Sequence, residues 1–306
     1  MLWPLMFYKW LGKGQRGVDL SDFMETLYEG YGQRFSVERI VHEVRTEHQH
    51  LVILENARMG RVMALDGVIQ TTEADEFIYH EMLSHVPLFA HGNPRRVLIV
   101  GGGDGGILRE VTKHPYVEQI TLVEIDSAVI ETCKVHLPRH SNGAFDDVRL
   151  RLVIDDGLNY VNTTNERFDV IISDSTDPTG PGQALFSNSF YRACSRCLND
   201  NGLLVTQNGV PFMQLSEVRD TAFALREIFG DWHFYRAAVP TYIGGDMAFA
   251  WAAKSPTARR HLSLQKLRER VFASGVQCRY YNPEVHQAAF ALPRFWLDEI
   301  GKPTND

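Results

Sequence analysis

The chain has 306 residues, of which 44% are hydrophobic and 23% charged, and its formal net charge is -7. A chain of this length and composition can bury a sizeable core, which excludes a largely disordered protein. The acidic balance disfavours a nucleic-acid partner, because phosphates are bound by basic surfaces, whereas it suits a cationic ligand. Since no segment has the roughly 18 to 20 apolar residues that span a bilayer, we expect no membrane partner.

Residues 1–22 form a divergent N-terminal extension, in which glycines at positions 12, 14 and 17 interrupt any helix. No basic residue precedes its apolar run and no small-residue cleavage site follows it. We therefore expect no signal peptide and a cytoplasmic protein. The segment is open to three interpretations: a loose extension, a dimer contact or a consequence of start-site choice.

A small antiparallel β domain with a linking helix is predicted over residues 23–90. Strand-like alternation covers residues 34–44, 51–56 and 60–70, and the dipeptide Asp66-Gly67 is typical of a tight hairpin turn. A helical period of apolar residues follows over residues 75–90. Thr72 and Asp75 are its start signal, and Pro94 ends the region.

The pattern then changes to short apolar strands separated by helices, which predicts a doubly wound, Rossmann-like, mostly parallel sheet over residues 91–306. We expect strands at residues 97–100, 119–124, 149–153, 168–174 and 202–207, and a helix at 128–136. Two further strands, at 232–239 and 247–254, would form an antiparallel edge. This is the methyltransferase-like class of α/β fold.

Four cysteines, at positions 133, 194, 197 and 278, are too few for a disulfide framework in a chain of this length. Cys194 and Cys197 form a single C-x-x-C on a predicted helix that ends near Leu198. With no second pair and no histidine cluster beside it, this motif favours reduced structural thiols over metal or redox chemistry.

A glycine-rich turn, residues 101–106, follows the first parallel strand and allows a ligand to approach the backbone closely. Glu124 ends the next strand, where an acid can bind ribose hydroxyls. Asp104 lies where a pyrophosphate would approach, so an S-adenosyl nucleoside is favoured over NAD. After the third strand come Asp155 and Asp156, one of which is expected to contact adenine while the other caps the next helix.

Acidic residues follow several strands at the edge where such sheets bind ligands. They are Asp104, Glu124, Asp156, Asp174 and Asp177. Carboxylates gathered in one place repel each other, so a cation, either a diamine or a metal ion, is expected to compensate them. Residues 178–182, rich in proline and glycine, would form a rigid loop or lid beside them.

Several sequence runs occur together in this chain: GRVMALDGVIQTTEADEFIYHEM, VLIVGGGDGGILREV, LVEID, LVIDDG, DVIISDSTDPTGPGQALF and AVPTYIGG. From about residue 23 to residue 293 the chain resembles the spermidine synthase family of polyamine aminopropyltransferases, in particular the bacterial type. The combination of GGGDG with a later D-x-x-D-P and P-T-Y separates this family from general methyltransferases.

The resemblance implies roles for individual residues, with Asp174 as the general base. The residues implied to bind the diamine or polyamine are Tyr79, His80, Asp104, Asp174, Asp177, Gln207 and Tyr242. Those implied to surround the donor, or its product methylthioadenosine, are Gln49, Gly101, Gly103, Asp104, Glu124, Asp156, Gly157 and Pro181. In this set Asp104 binds the aminopropyl amine of the donor.

The activity implied is that of a spermidine synthase. It would move the aminopropyl group of decarboxylated S-adenosylmethionine, a co-substrate, to putrescine, giving spermidine and 5'-methylthioadenosine. Alternatives are another diamine such as cadaverine, and an S-adenosylmethionine-dependent methyltransferase on the same fold. A polyamine-binding protein without catalysis is disfavoured, because sensing needs no base at Asp174. We expect no cofactor and no metal, and a homodimer or homotetramer.

Overall fold

The computed structural model describes residues 22–25, 27–178, 180–255 and 258–301, apart from the side chains of residues 181 and 258. Contacts divide the chain into two compact units, Met1–Ala74 and Asp75–Asp306. The helix that we assigned to the small domain from the sequence therefore has its contacts within the larger unit. All but the last residue of the 1–22 extension lies outside the described residues.

The small unit consists of antiparallel strands, as the sequence predicts. Strands β1 (Asp22–Met24) and β2 (Arg34–Ser36) form a pair, and the order in a four-stranded sheet is β3 (Arg39–Arg45), β4 (His50–Asn56), β5 (Gly60–Leu65) and β6 (Val68–Thr72). Asp66 and Gly67 have φ values of 49° and 84°, the backbone that a two-residue hairpin turn requires. The predicted strand 34–44 is two strands, because β2 pairs with β1 whereas β3 pairs with β4.

The larger unit is built on a seven-stranded sheet. Five neighbouring strands are parallel, and each of the two strands at one edge pairs antiparallel with the next strand inward in the sheet. Along the sheet the order is β12 (Asp231–Ala238), β13 (Asp246–Ala253), β11 (Leu198–Gln207), β10 (Phe168–Asp174), β7 (Arg96–Gly101), β8 (Gln119–Glu124) and β9 (Leu150–Ile154). The doubly wound sheet and its antiparallel edge are thus confirmed.

Helices cover both faces of this sheet. They are α1 (Glu76–His91), α2 (Gly106–Thr112), α3 (Ser127–His136), α4 (Pro138–Ser141), α5 (Gly157–Thr163), α6 (Asn188–Cys197), α7 (Pro211–Ile228), α8 (Leu264–Ser274), α9 (Pro283–Ala289) and α10 (Arg294–Ile300). Short 3-10 helices lie at Ala144–Asp146, Gly180–Phe186 and Ala258–His261. No helix in the described ranges is long and apolar enough to cross a membrane.

The core lies on both faces of the large sheet, and the alternation along β7 shows how the two halves arise. Val97 and Ile99 belong to one buried cluster, with residues of α1 and α2, whereas Leu98 and Val100 belong to another, with residues of α6 and α7. Successive side chains of a strand point to opposite faces, so a strand covered on both sides is apolar throughout. The uninterrupted apolar run in the sequence has this cause.

The fifth parallel strand begins earlier than the sequence suggests. Strand β11 starts at Leu198, directly after α6 ends at Cys197, whereas the apolar pattern begins only at residue 202. Residues 199–201, at the start of the strand, are polar and partly or fully exposed, so a search for apolar runs does not include them.

Cys194 and Cys197 are buried thiols that are not joined in a disulfide. Cys197 Sγ donates to the carbonyl oxygen of Val161 at 3.3 Å.

Helix α1 is buried along almost its whole length and carries polar side chains into the core. Glu81, which is 1% exposed, accepts hydrogen bonds from the backbone N–H groups of Arg279, Tyr280 and Tyr281, each at 2.8 Å. Buried N–H groups require acceptors, and this single carboxylate satisfies the turn that leads into α9. It thereby joins the C-terminal part of the chain to the helix that carries Tyr79 and His80.

Replacing Glu81 with alanine is expected to lower the free energy of unfolding by about 3 kcal/mol, because one buried and two partly buried N–H donors lose a charged acceptor. Glu81→Gln keeps one acceptor oxygen and should lose less. Urea unfolding of both variants measures the effect, with Glu131→Ala on the exposed face of α3 as the control. Equal stability of Glu81→Ala and the control would contradict this role.

Candidate active site

A glycine-rich turn joins β7 to α2 at the carboxyl edge of the parallel strands and lies against the end of β10. Gly101 and Gly102 have φ values of 81° and 72°, and a Cβ on Gly101 would lie 2.1 Å from the backbone oxygen of Asp174. At Gly106 a Cβ would lie 2.2 Å from the His80 ring. Only glycine allows these approaches, which bring Asp104, Asp174 and His80 together.

Asp104 is compensated by a cationic side chain of α1. Its Oδ2 lies 3.3 Å from Nε2 of His80, and its Oδ1 accepts from the backbone N–H of Gly106 at 2.8 Å. His80 Nδ1 lies 2.5 Å from Glu76 Oε2, and Arg109 donates to the same carboxylate at 2.7 and 3.1 Å. Two acids and two bases therefore alternate along one buried chain of contacts.

These contacts decide which groups are charged. Burial acts to lower the pKa of His80, but the carboxylates of Asp104 and Glu76 outweigh it and raise the pKa to about 10. Burial likewise acts to raise the pKa of Asp104, yet its pairing with His80 holds that pKa below the ordinary value. At neutral pH the site therefore contains a His80 imidazolium beside an ionised Asp104.

Asp174 is different, because it ends β10 in a half-buried position and forms no ion pair among the described residues, although the His80 imidazolium lies close by. Tyr79 donates its hydroxyl hydrogen to Asp174 Oδ1 at 2.5 Å. Burial, followed by the nearby Asp104 charge, raises the pKa of Asp174 to about 6, against the opposing effects of His80 and Tyr79. No described Lys or Arg lies within salt-bridge distance of this carboxylate.

One ligand atom each from His80, Asp104 and Asp174 lies within 4.8 Å of the others, a spacing that also suits a metal ion. All three would have to be deprotonated to bind one, and the imidazolium form of His80 opposes that. The expectation of no metal and no cofactor stays a prediction.

Two tyrosines form the wall beside Asp174. The rings of Tyr79 and Tyr242 meet edge to face with centroids 5.8 Å apart. Burial, and then the charge of Asp174, raises the pKa of both phenols well above the ordinary value, so both stay protonated. The loop that carries Tyr242 is anchored by Asp75, which accepts from the N–H and the hydroxyl of Thr241 at 2.7 and 2.6 Å.

Asp177 belongs to a second polar group farther along the loop. Its Oδ1 accepts from Gln214 Nε2 at 2.8 Å, and the same nitrogen donates to Glu217 Oε1 at 2.9 Å. Burial raises the pKa of Asp177. Gln207, at the end of β11, donates to the backbone oxygens of Ser175 and Thr176 at 3.0 and 3.1 Å and so supports the loop before Asp177.

On the other side of the glycine turn, Glu124 closes β8. Its carboxylate accepts from the N–H groups of Gly103 and Asp126 at 3.1 and 3.0 Å. Burial raises its pKa to about 7. Asp156 Oδ1 accepts from the N–H of Asn159 at 2.9 Å, which makes Asp156 the N-cap of α5. The capping role falls to Asp156 of the two adjacent acids, and an additional adenine contact stays a prediction.

The remaining residues of the predicted donor set are placed as follows. Gly157 begins α5, and a Cβ there would lie 2.4 Å from Val100 Cγ1, so close packing requires glycine. Gln49 lies in the small unit, where its N–H donates to Thr46 Oγ1 at 3.1 Å. Pro181 lies in the 3-10 helix Gly180–Phe186, and its side chain is outside the described residues.

Four polar residues of this region were not predicted from the sequence: Glu76, Arg109, Gln214 and Glu217. Glu76 precedes His80 by one helical turn, a spacing at which side chains meet, so a pairing signal was present. The other three reach the site only through the packing of α2 and α7. No local spacing reveals such contacts.

Two known protein families match most of the described chain, up to residue 261. Residues 76–261 match the family described as the spermine/spermidine synthase domain, and residues 23–73 match the spermidine synthase tetramerisation domain. The second match coincides with the small antiparallel unit, and the first contains the glycine turn and the acids described above.

Individual relatives agree with these matches. A polyamine aminopropyltransferase 1 of Pseudomonas aeruginosa is 68% identical over 94% of this chain and 100% of its own length. A polyamine aminopropyltransferase of Serratia proteamaculans is 58% identical over 90% of this chain and 96% of its own. A spermidine synthase crystal structure in complex with the transition state analogue AdoDATO has a TM-score of 0.88 at 39% identity, covering 95% of this chain and 98% of that one. The spermidine synthase structure from Thermotoga maritima gives a TM-score of 0.86 at 38% identity, with the same coverage.

The hydrogen bond from Tyr79 is one of the effects that hold the pKa of Asp174 down. In Tyr79→Phe this donor is lost, and we expect the pKa of Asp174 to rise by about one pH unit. Infrared titration of the carboxyl stretch measures it, with Tyr116→Phe on the surface as the control. An unchanged or lower pKa in Tyr79→Phe would contradict the assigned contact.

Proposed function

Because the chain belongs to the spermine/spermidine synthase family and is an enzyme of the polyamine aminopropyltransferase class, we propose that it acts as a spermidine synthase. Its substrates are decarboxylated S-adenosylmethionine and putrescine, and its products are spermidine and 5'-methylthioadenosine. The observation that supports this most strongly is the half-buried Asp174, which forms no ion pair among the described residues while the neighbouring Asp104 is paired with His80. An amine substrate supplies the missing positive charge.

The chemical step requires little activation of the donor, since its sulfur is already a sulfonium. The amine nitrogen attacks the aminopropyl carbon, the C–N bond forms as the C–S bond breaks, and the electron pair returns to sulfur as a neutral thioether. Alignment of amine and carbon is therefore the main contribution of the protein, worth up to about 7 to 11 kcal/mol. The other contribution is removal of a proton, because alkyl amines arrive protonated at neutral pH.

Asp174 accepts that proton in this proposal. Its pKa of about 6 leaves most of the carboxylate ionised at neutral pH, yet it is a stronger base than an exposed aspartate. Tyr79 donates to one oxygen and so orients the other toward the amine. Tyr242 packs against Tyr79 and forms the apolar wall along which the aliphatic part of the diamine lies.

Asp104 binds the aminopropyl ammonium of the donor. The carboxylate remains ionised because His80 and the Gly106 N–H stabilise it. Ordinary S-adenosylmethionine carries a carboxylate at the position where the decarboxylated donor has none, and two carboxylates would repel each other there. Selection of the donor therefore follows from the same charge that binds it.

The nucleoside of the donor occupies the other side of the glycine turn. Glu124 accepts hydrogen bonds from the ribose hydroxyls, and its pKa, raised to about 7 by burial, falls when those donors arrive. Residues assigned to the rest of the donor are Gln49, Gly101, Gly103, Asp156, Gly157 and Pro181. His80, Asp177 and Gln207 complete the acceptor side.

Assembly and location are part of the same proposal. The match of residues 23–73 to a tetramerisation domain supports an oligomer, which we propose to be a homodimer or homotetramer. The enzyme works in the cytoplasm on small-molecule substrates, without a metal or other cofactor.

Product analysis tests the proposed function. Purified protein is incubated with decarboxylated S-adenosylmethionine and with putrescine or cadaverine, and products are identified by mass spectrometry. Spermidine and methylthioadenosine in equal amounts are expected, with putrescine preferred. A methyl increment on an acceptor, with S-adenosylmethionine as donor, would indicate a methyltransferase instead.

Asp174→Asn removes the proton acceptor and is expected to lower kcat by about two to four orders of magnitude. In the unmodified enzyme kcat/KM should rise with pH through about 6, because Asp174 must lose its proton before it can accept another. Asp169→Asn, at the opposite end of β10, is the matched control for expression and folding. A turnover of Asp174→Asn within twofold of the unmodified enzyme would place proton acceptance elsewhere.

Asp104→Asn keeps the shape of the side chain but removes its charge. We expect it to weaken binding of decarboxylated S-adenosylmethionine by about tenfold or more, and to weaken S-adenosylmethionine binding much less. The dissociation constant of S-adenosylmethionine divided by that of decarboxylated S-adenosylmethionine, both measured by calorimetry, should therefore fall. An unchanged ratio would show that Asp104 does not select the donor.

A further inference from the structure

Gln214 occupies an unusual position in α7. Its backbone angles, φ -126° and ψ 42°, are not helical, so the helix is kinked there. The side chain turns back toward the start of the helix, and its Oε1 accepts from the N–H of Val210 at 2.9 Å. With its oxygen so placed, the amide nitrogen faces Asp177 and Glu217.

Both of these acids receive a hydrogen bond from the same amide. Nε2 of Gln214 donates to Asp177 Oδ1 at 2.8 Å and to Glu217 Oε1 at 2.9 Å. An amide group has two hydrogens, and each carboxylate takes one. Two half-buried carboxylates are thus held in fixed orientations by one neutral side chain, although like charges would otherwise repel.

Gly209 makes room for this arrangement. Its φ is 61°, and a Cβ there would lie 2.5 Å from Gln214 Oε1 and 2.9 Å from Glu217 Oε2. The N–H of Gly209 donates to Gln207 Oε1 at 2.8 Å, so the two glutamines are connected through one backbone turn. Gln207 holds the backbone before Asp177, and Gln214 holds the Asp177 carboxylate itself.

The charge balance of this group favours a cation nearby. Glu217 Oε2 is buried without a hydrogen-bond partner among the described residues. Burial, followed by the charge of Asp177, raises the pKa of Glu217 to about 7. No Lys or Arg in the described ranges forms an ion pair with either acid.

We propose that Gln214 and Glu217 are positioning residues for the acceptor: Gln214 orients the Asp177 carboxylate toward the distal ammonium of the diamine, and Glu217 fixes Gln214. This inference rests on the proposed function, in which Asp177 binds the end of the diamine that does not react. Neither residue touches the reacting atoms, so their effect falls on acceptor binding and not on the chemical step. Recognition of a second ammonium separates a diamine from a monoamine of the same length.

The test replaces Gln214 with methionine, which has a similar length but no amide. We expect the KM for putrescine to rise about tenfold, as for loss of a charge-assisted contact, with kcat and the donor KM within about twofold. The inhibition constant of butylamine, which has the same carbon chain and only one amine, should stay within twofold. Gln265→Met is the matched control, because Gln265 donates to Glu269 on the exposed surface of α8.

Glu217 is tested by a pair of variants. Glu217→Met removes the second acceptor of the Gln214 amide and should raise the putrescine KM about threefold. Glu217→Gln keeps an acceptor oxygen, so its putrescine KM should stay within twofold of that of the unmodified enzyme. A putrescine KM unchanged in Gln214→Met, or a butylamine constant that rises in parallel, would overturn the proposal. So would equal impairment in Glu217→Gln and Glu217→Met. If the unmodified protein forms no methylthioadenosine from the diamine, the proposed function itself fails.

Discussion

Uneven compensation of buried acids is the constraint on which the rest of the site depends. Asp104 has a histidine cation, itself supported by Glu76 and Arg109, and it therefore stays ionised. Asp174, beside it, forms no ion pair and accepts a hydrogen bond from the Tyr79 hydroxyl, and burial followed by the charge of Asp104 raises its pKa to about 6. A buried carboxylate without a partner is costly, and the cost falls when an ammonium enters. One acid suited to binding and one suited to accepting a proton thus follow from their environments.

The fold produces this difference through the glycine turn. Because Gly101 and Gly106 have no Cβ, the end of β10 and the His80 ring can approach the same few atoms. Strand ends of a parallel sheet meet at one edge, so residues distant in sequence converge there. The same chain elements hold the periphery: Glu81 anchors the C-terminal turn to α1, and Asp75 anchors the Tyr242 loop.

Much of this could be predicted from the sequence, and the physical reasons differ by element. Apolar runs such as residues 97–100 predicted strands, because a strand covered on both faces excludes polar residues. The turn at Asp66-Gly67 followed from its need for positive φ. The polar start of β11 had no such signal. Gln214 and Glu217 were missed because their role depends on a kink in α7 and on packing against a loop more than thirty residues earlier.

Proton release on binding of putrescine is the most direct test of the central claim. Calorimetry in two buffers with different ionisation enthalpies measures it at pH 6, where Asp174 is about half protonated. If an ammonium compensates this carboxylate, its pKa falls and protons are released, and this release is reduced in Asp174→Asn. Binding without proton release at pH 6, or with the same release in Asp174→Asn, would contradict the account.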